Sequence, residues 1–428
     1  MIKSILIGVG TIAVLTAGAF AVYAYNPELE PLAADQVQEF DSASIENGRL
    51  LAAAGYCASC HTAEGGEPWA GNYPMETGFG TLYSTNITPD PDSGIGGWSP
   101  EAFRRAMHEG VDREGKYLFP AFPYNHFTLM SDEDVDDIYA YIMSEVTPVA
   151  STQKENELPF PLDQRFLQAG WKMLFVDSGR YQANDQQSDE WNRGAYLVEG
   201  VTHCGACHTP RNPVGAEIES ARFDGAAIDR WTAPALNEKS TAAIRWTAAD
   251  FSEYLKVGGT RDHGIAAGPM GPVVHAGLRE LPDDDLHAIG VYLADQADTP
   301  DSGSSSADII AASLAKGRPQ KTYREDEGER LYVTACASCH YNGEQIELGR
   351  PDLGVNSATR LDDPDNLIHV ILDGVGNQEG LAGVVMPGFR SALNDEEVAS
   401  IAAYLRRSRT DKQEWPDLTR AVSAIRAH

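Results

Sequence analysis

All six cysteines of the sequence lie in three copies of one five-residue pattern, Cys-x-x-Cys-His. The copies are Cys57-Ala-Ser-Cys60-His61, Cys204-Gly-Ala-Cys207-His208 and Cys336-Ala-Ser-Cys339-His340. Two thiols at this spacing can each form a thioether with one vinyl group of a porphyrin, and the next residue then lies under the iron as the proximal imidazole. The pattern therefore predicts three covalently bound haem c groups, with His61, His208 and His340 as iron ligands.

Two other kinds of site use paired cysteines, and the sequence disfavours both. A redox-active Cys-x-x-Cys pair belongs near a βαβ unit and needs no following histidine. A structural zinc site needs four ligands close together, whereas the three cysteine pairs are more than a hundred residues apart. Haem attachment is the interpretation that explains every cysteine.

The elements around each haem motif repeat three times and predict small helical domains. A helix containing a glycine (Gly48, Gly194, Gly328) precedes each motif, and a helix ending at another glycine (Gly110, Gly258, Gly374) follows it. A closing helix then begins near Ser131, Pro282 and Asn394 and has a tyrosine at its far end. Because a glycine inside a helix costs about 1 kcal/mol relative to alanine, we expect close packing there against the closing helix. The predicted fold class is all-α.

Matched spacing identifies two methionines as distal iron ligands. Met270 lies twelve residues after Gly258, and Met386 lies twelve residues after Gly374. Methionine is more often a core residue, but the equal offsets favour ligation. Coordination by histidine and methionine raises the reduction potential of a haem, which suits an electron carrier.

The first repeat departs from this register, because the residue twelve positions after Gly110 is Phe122, which cannot bind iron. His126 is the leading candidate for the sixth ligand of the first haem, and Met130 is the alternative. An iron without a sixth protein ligand stays open as a third interpretation. A bis-histidine first haem would have the lowest potential of the three.

The N-terminal residues indicate where the protein is located. Residues 5–25 form an apolar run behind Lys3, long enough for a membrane span of about 20 residues. We expect a retained anchor, with a cleaved signal peptide as the alternative. Either a retained anchor or a cleaved signal peptide leads to export, and the expected location is the periplasmic side of the bacterial inner membrane.

The overall charge excludes one class of partner. A formal net charge of −30 disfavours binding to nucleic acid.

The motifs together resemble a known family. The segments are Asn86-Ile-Thr-Pro-Asp90, Gly94-Ile-Gly-Gly-Trp98, Pro120-Ala-Phe-Pro-Tyr124, Cys204-Gly-Ala-Cys-His-Thr-Pro-Arg211, Ala267-Gly-Pro-Met270 and Met386-Pro-Gly-Phe389. They resemble three tandem class I cytochrome c domains, as in the triheme cytochrome c subunits of membrane-bound bacterial dehydrogenases. The resemblance implies electron transfer from a separate catalytic subunit to membrane quinone or a terminal oxidase, and it allows a small third subunit.

The repeats and the segments between them give the predicted domain organisation. The predicted boundaries are 1–30 for the signal or anchor, 42–148 for the first domain, 149–187 for a docked linker, 188–298 for the second domain, 299–325 for a flexible linker, 326–409 for the third domain and 410–428 for a C-terminal tail.

The sequence contains no dinucleotide fingerprint and no cysteines left for an iron–sulfur cluster, so we expect substrate oxidation to occur on another chain. The form Phe-Pro-Tyr-x-His-Phe resembles relatives paired with molybdenum-type aldehyde or N-heterocycle dehydrogenases, and we favour these over flavin-dependent alcohol or sugar dehydrogenases. The alternatives are a stand-alone multihaem electron shuttle and a peroxidase-like haem enzyme with an open first iron.

Overall fold

The computed structural model describes residues 14–33, 39–297, 303–318, 325–340, 352–376, 379–381 and 383–427. The described chain is mostly helical, as predicted, with a few short two-stranded sheets. It divides into two compact units, Met1–Ala52 with Cys57–Gln182, and Ala53–Tyr56 with Ala183–His428. The first unit holds most of the first predicted domain and the 149–182 segment, and the second holds the second and third predicted domains.

Seven helices and one hairpin precede residue 183 in the described chain. The helices are α1 (residues 14–23), α2 (Ser42–Ala54), α3 (Cys57–Cys60), α4 (Pro100–Glu109), α5 (Tyr124–Phe127), α6 (Asp132–Glu145) and α7 (Gln168–Phe175), with a 3-10 turn at Arg165–Leu167. Antiparallel strands β1 (Pro74–Thr77) and β2 (Gly80–Tyr83) pair in register from Pro74↔Tyr83 to Thr77↔Gly80.

The second and third haem motifs lie among the remaining helices. These are α8 (Asp189–Tyr196), α9 (Gly205–His208), α10 (Ala248–Val257), α11 (Met270–His275), α12 (Asp283–Gln296), α13 (Ser306–Lys316), α14 (Glu327–Ala335), α15 (Ala337–His340), α16 (Ser357–Arg360), α17 (Asp365–Asp373), α18 (Asp395–Arg409) and α19 (Leu418–Arg426). A π-helical turn, Leu197–Val201, extends α8 towards Cys204, and 3-10 turns lie at Glu219–Ala221 and Leu278–Glu280.

Three short antiparallel hairpins complete the described part of this unit. They are β3 (Ala226–Ile228) with β4 (Trp231–Ala233), β5 (Gly259–Thr260) with β6 (Gly264–Ile265), and β7 (Gly374–Val375) with β8 (Met386–Pro387).

The predicted helix ends are confirmed. Gly110, Gly258 and Gly374 end α4, α10 and α17 with φ of 63°, 89° and 77°, a backbone region that glycine enters without steric cost. The side chains of Ser131 and Asn394 cap α6 and α18. Local sequence signals alone therefore set the limits of these helices.

The predicted close packing at glycines is also confirmed. A Cβ added at Gly48 would lie 1.8 Å from the carbonyl oxygen of Asp137 on α6. The corresponding distances are 2.0 Å from Gly194 to Ala288 on α12, and 2.2 Å from Gly328 to Ser400 on α18. In each repeat, the helix before the haem motif crosses the closing helix with backbone against backbone.

The described parts of the segments between the predicted domains pack against those domains. Within 149–187, Asn72 donates hydrogen bonds to Ser151 Oγ and to the Thr152 carbonyl, at 3.2 and 3.0 Å. The predicted flexible linker 299–325 lies partly outside the described residues, but its described portion contains α13, whose Ile310 is buried with Ile244 and Val355. In the C-terminal tail, Val422 and Ile425 of α19 are buried in the core of the third domain.

The predicted N-terminal anchor falls partly on residues 1–13, outside the described chain. Among the residues described, no helix combines the length and the apolar character needed to span a membrane.

Replacing Gly194 by alanine tests the close helix crossing. Alanine would favour the helix by about 1 kcal/mol, but the clash with the Ala288 carbonyl should cost more, about 1–3 kcal/mol for overpacking of a tight contact. We expect a lower thermal unfolding midpoint by circular dichroism. The control is Gly179→Ala, because a Cβ at Gly179 meets nothing within 4 Å. Equal midpoints for the two variants would contradict the packing described here.

Candidate haem sites

The cysteines of each Cys-x-x-Cys-His motif lie in or next to a single short helical turn. All six are in the described part of the chain, and none is in a disulfide. Burial raises the pKa of the Cys57 thiol to about 12 and the pKa values of Cys204 and Cys336 to about 11. Redox-active Cys-x-x-Cys pairs depend on a lowered pKa, so the environment disfavours a disulfide-exchange site.

Backbone carbonyls orient two of the three predicted proximal histidines. Nδ1 of His61 lies 2.7 Å from the Thr85 carbonyl oxygen, and Nδ1 of His208 lies 2.7 Å from that of Pro234. A carbonyl can only accept, so Nδ1 must carry the proton and donate it. Nε2 is then the unprotonated nitrogen, and this is the tautomer that can bind iron.

The loops that supply these carbonyls are held by repeated asparagine turns. The side-chain oxygens of Asn86, Asn237 and Asn356 each accept a hydrogen bond from the backbone N–H two residues later, at 2.9, 3.0 and 2.9 Å. Such a turn fixes the local backbone without a longer element. The three asparagines are visible in the sequence, but the link of Asn86 and Asn237 to the histidine tautomer appears only in the structure.

The second and third motifs open into one cavity of about 770 Å³. The predicted ligands lining it are Cys204, Cys207, His208 and Met270 from the second domain, and Cys336, Cys339, His340 and Met386 from the third. Apolar and aromatic side chains, among them Trp246, Leu255 and Phe389, make up much of the remaining wall. Paired thiols, an imidazole and a thioether around an apolar space fit a haem c group.

Equivalent loops position the two methionines. Met270 begins α11, just after the β5–β6 hairpin, where the Ala266 N–H donates to the Gly258 carbonyl at 2.8 Å. Met386 lies in β8 and pairs with Val375, next to Gly374. Both methionines reach the shared cavity, so the arrangement agrees with the predicted histidine–methionine coordination. The ligand assignments themselves stay predictions.

Several contacts join the second and third domains beside this cavity. The Thr232 N–H donates to Asn366 Oδ1 at 2.7 Å, and Asn366 Nδ2 donates to the Thr232 carbonyl at 2.8 Å. Next to this pair, the rings of Trp231 and His369 stack with centroids 4.7 Å apart. Sequence reasoning missed this association, because no local signal distinguishes these residues from ordinary surface positions.

In the first domain, the loop after α4 begins in the same way as the loop after α10 in the second domain. The Leu118 N–H donates to the Gly110 carbonyl at 2.7 Å, as the Ala266 N–H does to the Gly258 carbonyl. His126 lies on α5 and is buried, and Met130 is fully buried nearby. His108 is held by the protein, with Nδ1 3.0 Å from the Phe127 carbonyl oxygen and Nε2 3.3 Å from Asp132 Oδ1. His126 and Met130 stay the predicted candidates for the sixth ligand, with an iron that has no sixth protein ligand as the third interpretation.

Comparison with known proteins identifies the family of the chain. Residues 45–145 match the family model described as Cytochrome c, and residues 324–405 match the model described as Cytochrome C oxidase, cbb3-type, subunit III. The gluconate 2-dehydrogenase cytochrome c subunit of Pantoea cypripedii is 38% identical over 396 residues, which cover 88% of this chain and 87% of that protein. The chain belongs to the family of cytochrome c subunits of bacterial dehydrogenases.

Two further relatives show the range of this cytochrome subunit family. A nicotinate dehydrogenase subunit of Pseudomonas putida is 44% identical over 94% of this chain, but the chain spans only about a third (34%) of that protein. The cytochrome c subunit of the alcohol dehydrogenase (quinone) of Gluconobacter oxydans is 35% identical over 87% of this chain and 80% of that subunit. Such cytochrome subunits bind haem c and transfer electrons within dehydrogenase complexes.

The sixth ligand of the first haem can be tested with carbon monoxide. If His126 binds the iron, His126→Ala should let the reduced protein bind about one carbon monoxide per chain, since an open haem position accepts such ligands. Met130→Leu serves as the matched control and should bind as little as the unaltered protein. The measurement is the change in the haem absorption spectrum on adding the gas.

The reverse pattern, with an open haem only in Met130→Leu, would assign the ligand to Met130. Carbon monoxide binding by the unaltered protein would support the open first iron instead.

Proposed function

We propose that this cytochrome binds three haem c groups and relays electrons from a separate catalytic dehydrogenase subunit to membrane quinone or a terminal oxidase. The single observation that carries the proposal is the cavity shared by the second and third haem motifs. Two haems held against one another there could exchange electrons without a mobile carrier.

The proposed role of the chain's own residues is to attach and orient the haems. The six cysteines would hold the porphyrins, and His61, His208 and His340 would bind the irons as the proximal ligands. Met270, Met386 and His126 would be the second protein ligands, with Met130 as the alternative at the first haem. The haems would supply the one-electron chemistry, and the apolar walls would limit the access of water.

We propose a molybdenum-type aldehyde or N-heterocycle dehydrogenase as the catalytic partner, in preference to a flavin enzyme. The segment Pro120-Ala-Phe-Pro-Tyr-Asn-His126 supports this choice by resemblance. The 44% identity to a protein named for nicotinate, a nitrogen heterocycle, supports it further. The identity to cytochrome subunits named for gluconate and alcohol dehydrogenases supports the other choice, a flavin enzyme or another kind of partner.

We also propose that the protein works on the periplasmic side of the bacterial inner membrane, held there by its N-terminal apolar segment. Haem c attachment takes place outside the cytoplasm, and the apolar run of residues 5–25 supports a membrane anchor. The negative charge of the remaining chain suits an exported domain that stays soluble.

The cofactor content of the native complex tests the partner assignment. Membranes would be solubilised mildly, the complex purified through this cytochrome, and molybdenum, flavin and iron measured beside haem. We expect stoichiometric molybdenum, and iron in excess of the haem iron. Flavin without molybdenum would overturn the molybdenum assignment, and a cytochrome isolated alone under these conditions would support the stand-alone shuttle.

A further inference from the structure

The segment around α7 has its two cationic side chains on the inner side. Arg165 donates from Nε to the Tyr117 carbonyl at 2.5 Å and from Nη2 to Asp112 Oδ2 at 2.7 Å. Lys172 donates to the Glu109 carbonyl at 2.7 Å. Both cations of the segment therefore bind the first domain and point away from solvent. An ordinary surface helix instead directs its charged side chains towards solvent.

The outer side of the same segment is apolar and exposed. Leu174 is 69% exposed and Met173 is 59% exposed, and the side chains of Phe160, Phe166 and Phe175 are also exposed. Single apolar residues on a surface need no explanation, but a cluster of large ones marks an interaction site.

The N-terminal helix α1 lies beside α7 and extends this apolar surface. Phe20 and Ala24, at the end of α1, pack on a small core of Val111, Tyr117 and Ala169, the last of which belongs to α7. On the outside of α1, Val14, Leu15 and Val22 are each more than 60% exposed. We call the exposed apolar side chains of α1 and of residues 160–175 the α1–α7 face.

The chain that leaves α1 is tied firmly to the first domain. The Leu29 N–H donates to the Arg113 carbonyl at 2.9 Å, and Arg105 Nη1 donates to the Pro27 carbonyl at 2.7 Å. These bonds fix the direction in which the chain runs from α1 into the domain. A bilayer that receives α1 would therefore meet α7 as well.

Charge favours lipid as the occupant of the α1–α7 face. Residues 14–25 contain no charged side chain, and residues 160–175 contain one acid, Asp163, in a protein of net charge −30. The face thus carries almost none of the negative charge that an anionic membrane surface would repel. Tyr23, Tyr25 and Trp171 border it, and tyrosine and tryptophan are enriched where membrane meets water.

We propose that the α1–α7 face rests on the lipid bilayer, with α7 lying in the headgroup layer beside the N-terminal segment. The first cytochrome domain is then the domain that contacts the membrane. The inference rests on the membrane placement proposed above and adds the surface and the helix that make the contact.

Cysteine labelling can locate the contact in the haem-loaded full chain. Because haem attachment consumes all six native cysteines, an introduced cysteine is the only reactive thiol. We would compare Leu174→Cys with Val214→Cys, whose side chain is 49% exposed, lies outside the haem cavity and belongs to the other compact unit. The protein is bound to vesicles of phosphatidylethanolamine and phosphatidylglycerol, isolated by flotation, and treated with a membrane-impermeant maleimide. Rates are normalised to those of the same variant in denaturant.

We expect the cysteine at position 174 to react about tenfold more slowly than that at position 214, as for a side chain buried at the acyl boundary. A second variant, Phe166→Cys, should be protected in the same way. If the protein floats but the cysteines at positions 174 and 166 react as fast as that at position 214, the α7 contact is wrong while the membrane placement stands. If the protein does not float, both are wrong. Protection only after addition of the catalytic subunit would assign the face to a protein partner and overturn the inference.

Discussion

A haem attached through a Cys-x-x-Cys-His motif is held at three points by five consecutive residues, so the rest of the domain must be built around a rigid plane. The iron needs an unprotonated imidazole nitrogen on the near side. The Thr85 and Pro234 carbonyls meet this need by accepting hydrogen bonds from Nδ1 of His61 and His208. The loops, hairpins and closing helices around each motif are arranged to make that geometry stable.

The helices of each domain also cross closely, beside the motif for haem attachment. A domain of about a hundred residues buries a limited area on folding, so close contacts inside it matter for its stability. The helix before each motif and the closing helix approach until Gly48, Gly194 and Gly328 meet the opposite backbone. This crossing would hold each domain together with the haem that its motif is proposed to bind.

Local signals in the sequence were sufficient for these features. The helix ends at Gly110, Gly258 and Gly374, the capped closing helices and the tight glycine contacts all follow from patterns that each repeat carries within itself. The contacts of Thr232 with Asn366 and of Trp231 with His369 could not be predicted, because they join residues more than 130 positions apart that have no distinctive pattern. The helix α13 was missed because Ser- and Gly-rich residues precede it and resemble a tether.

The proposed electron relay depends on three haem groups occupying all six cysteines, and the intact mass of the purified chain measures this directly. We predict a mass above that of the polypeptide by three haem groups, with no thiol reactive towards maleimide after denaturation. A mass with one or two haem groups, or with free thiols at any of the three motifs, would contradict the three-haem relay.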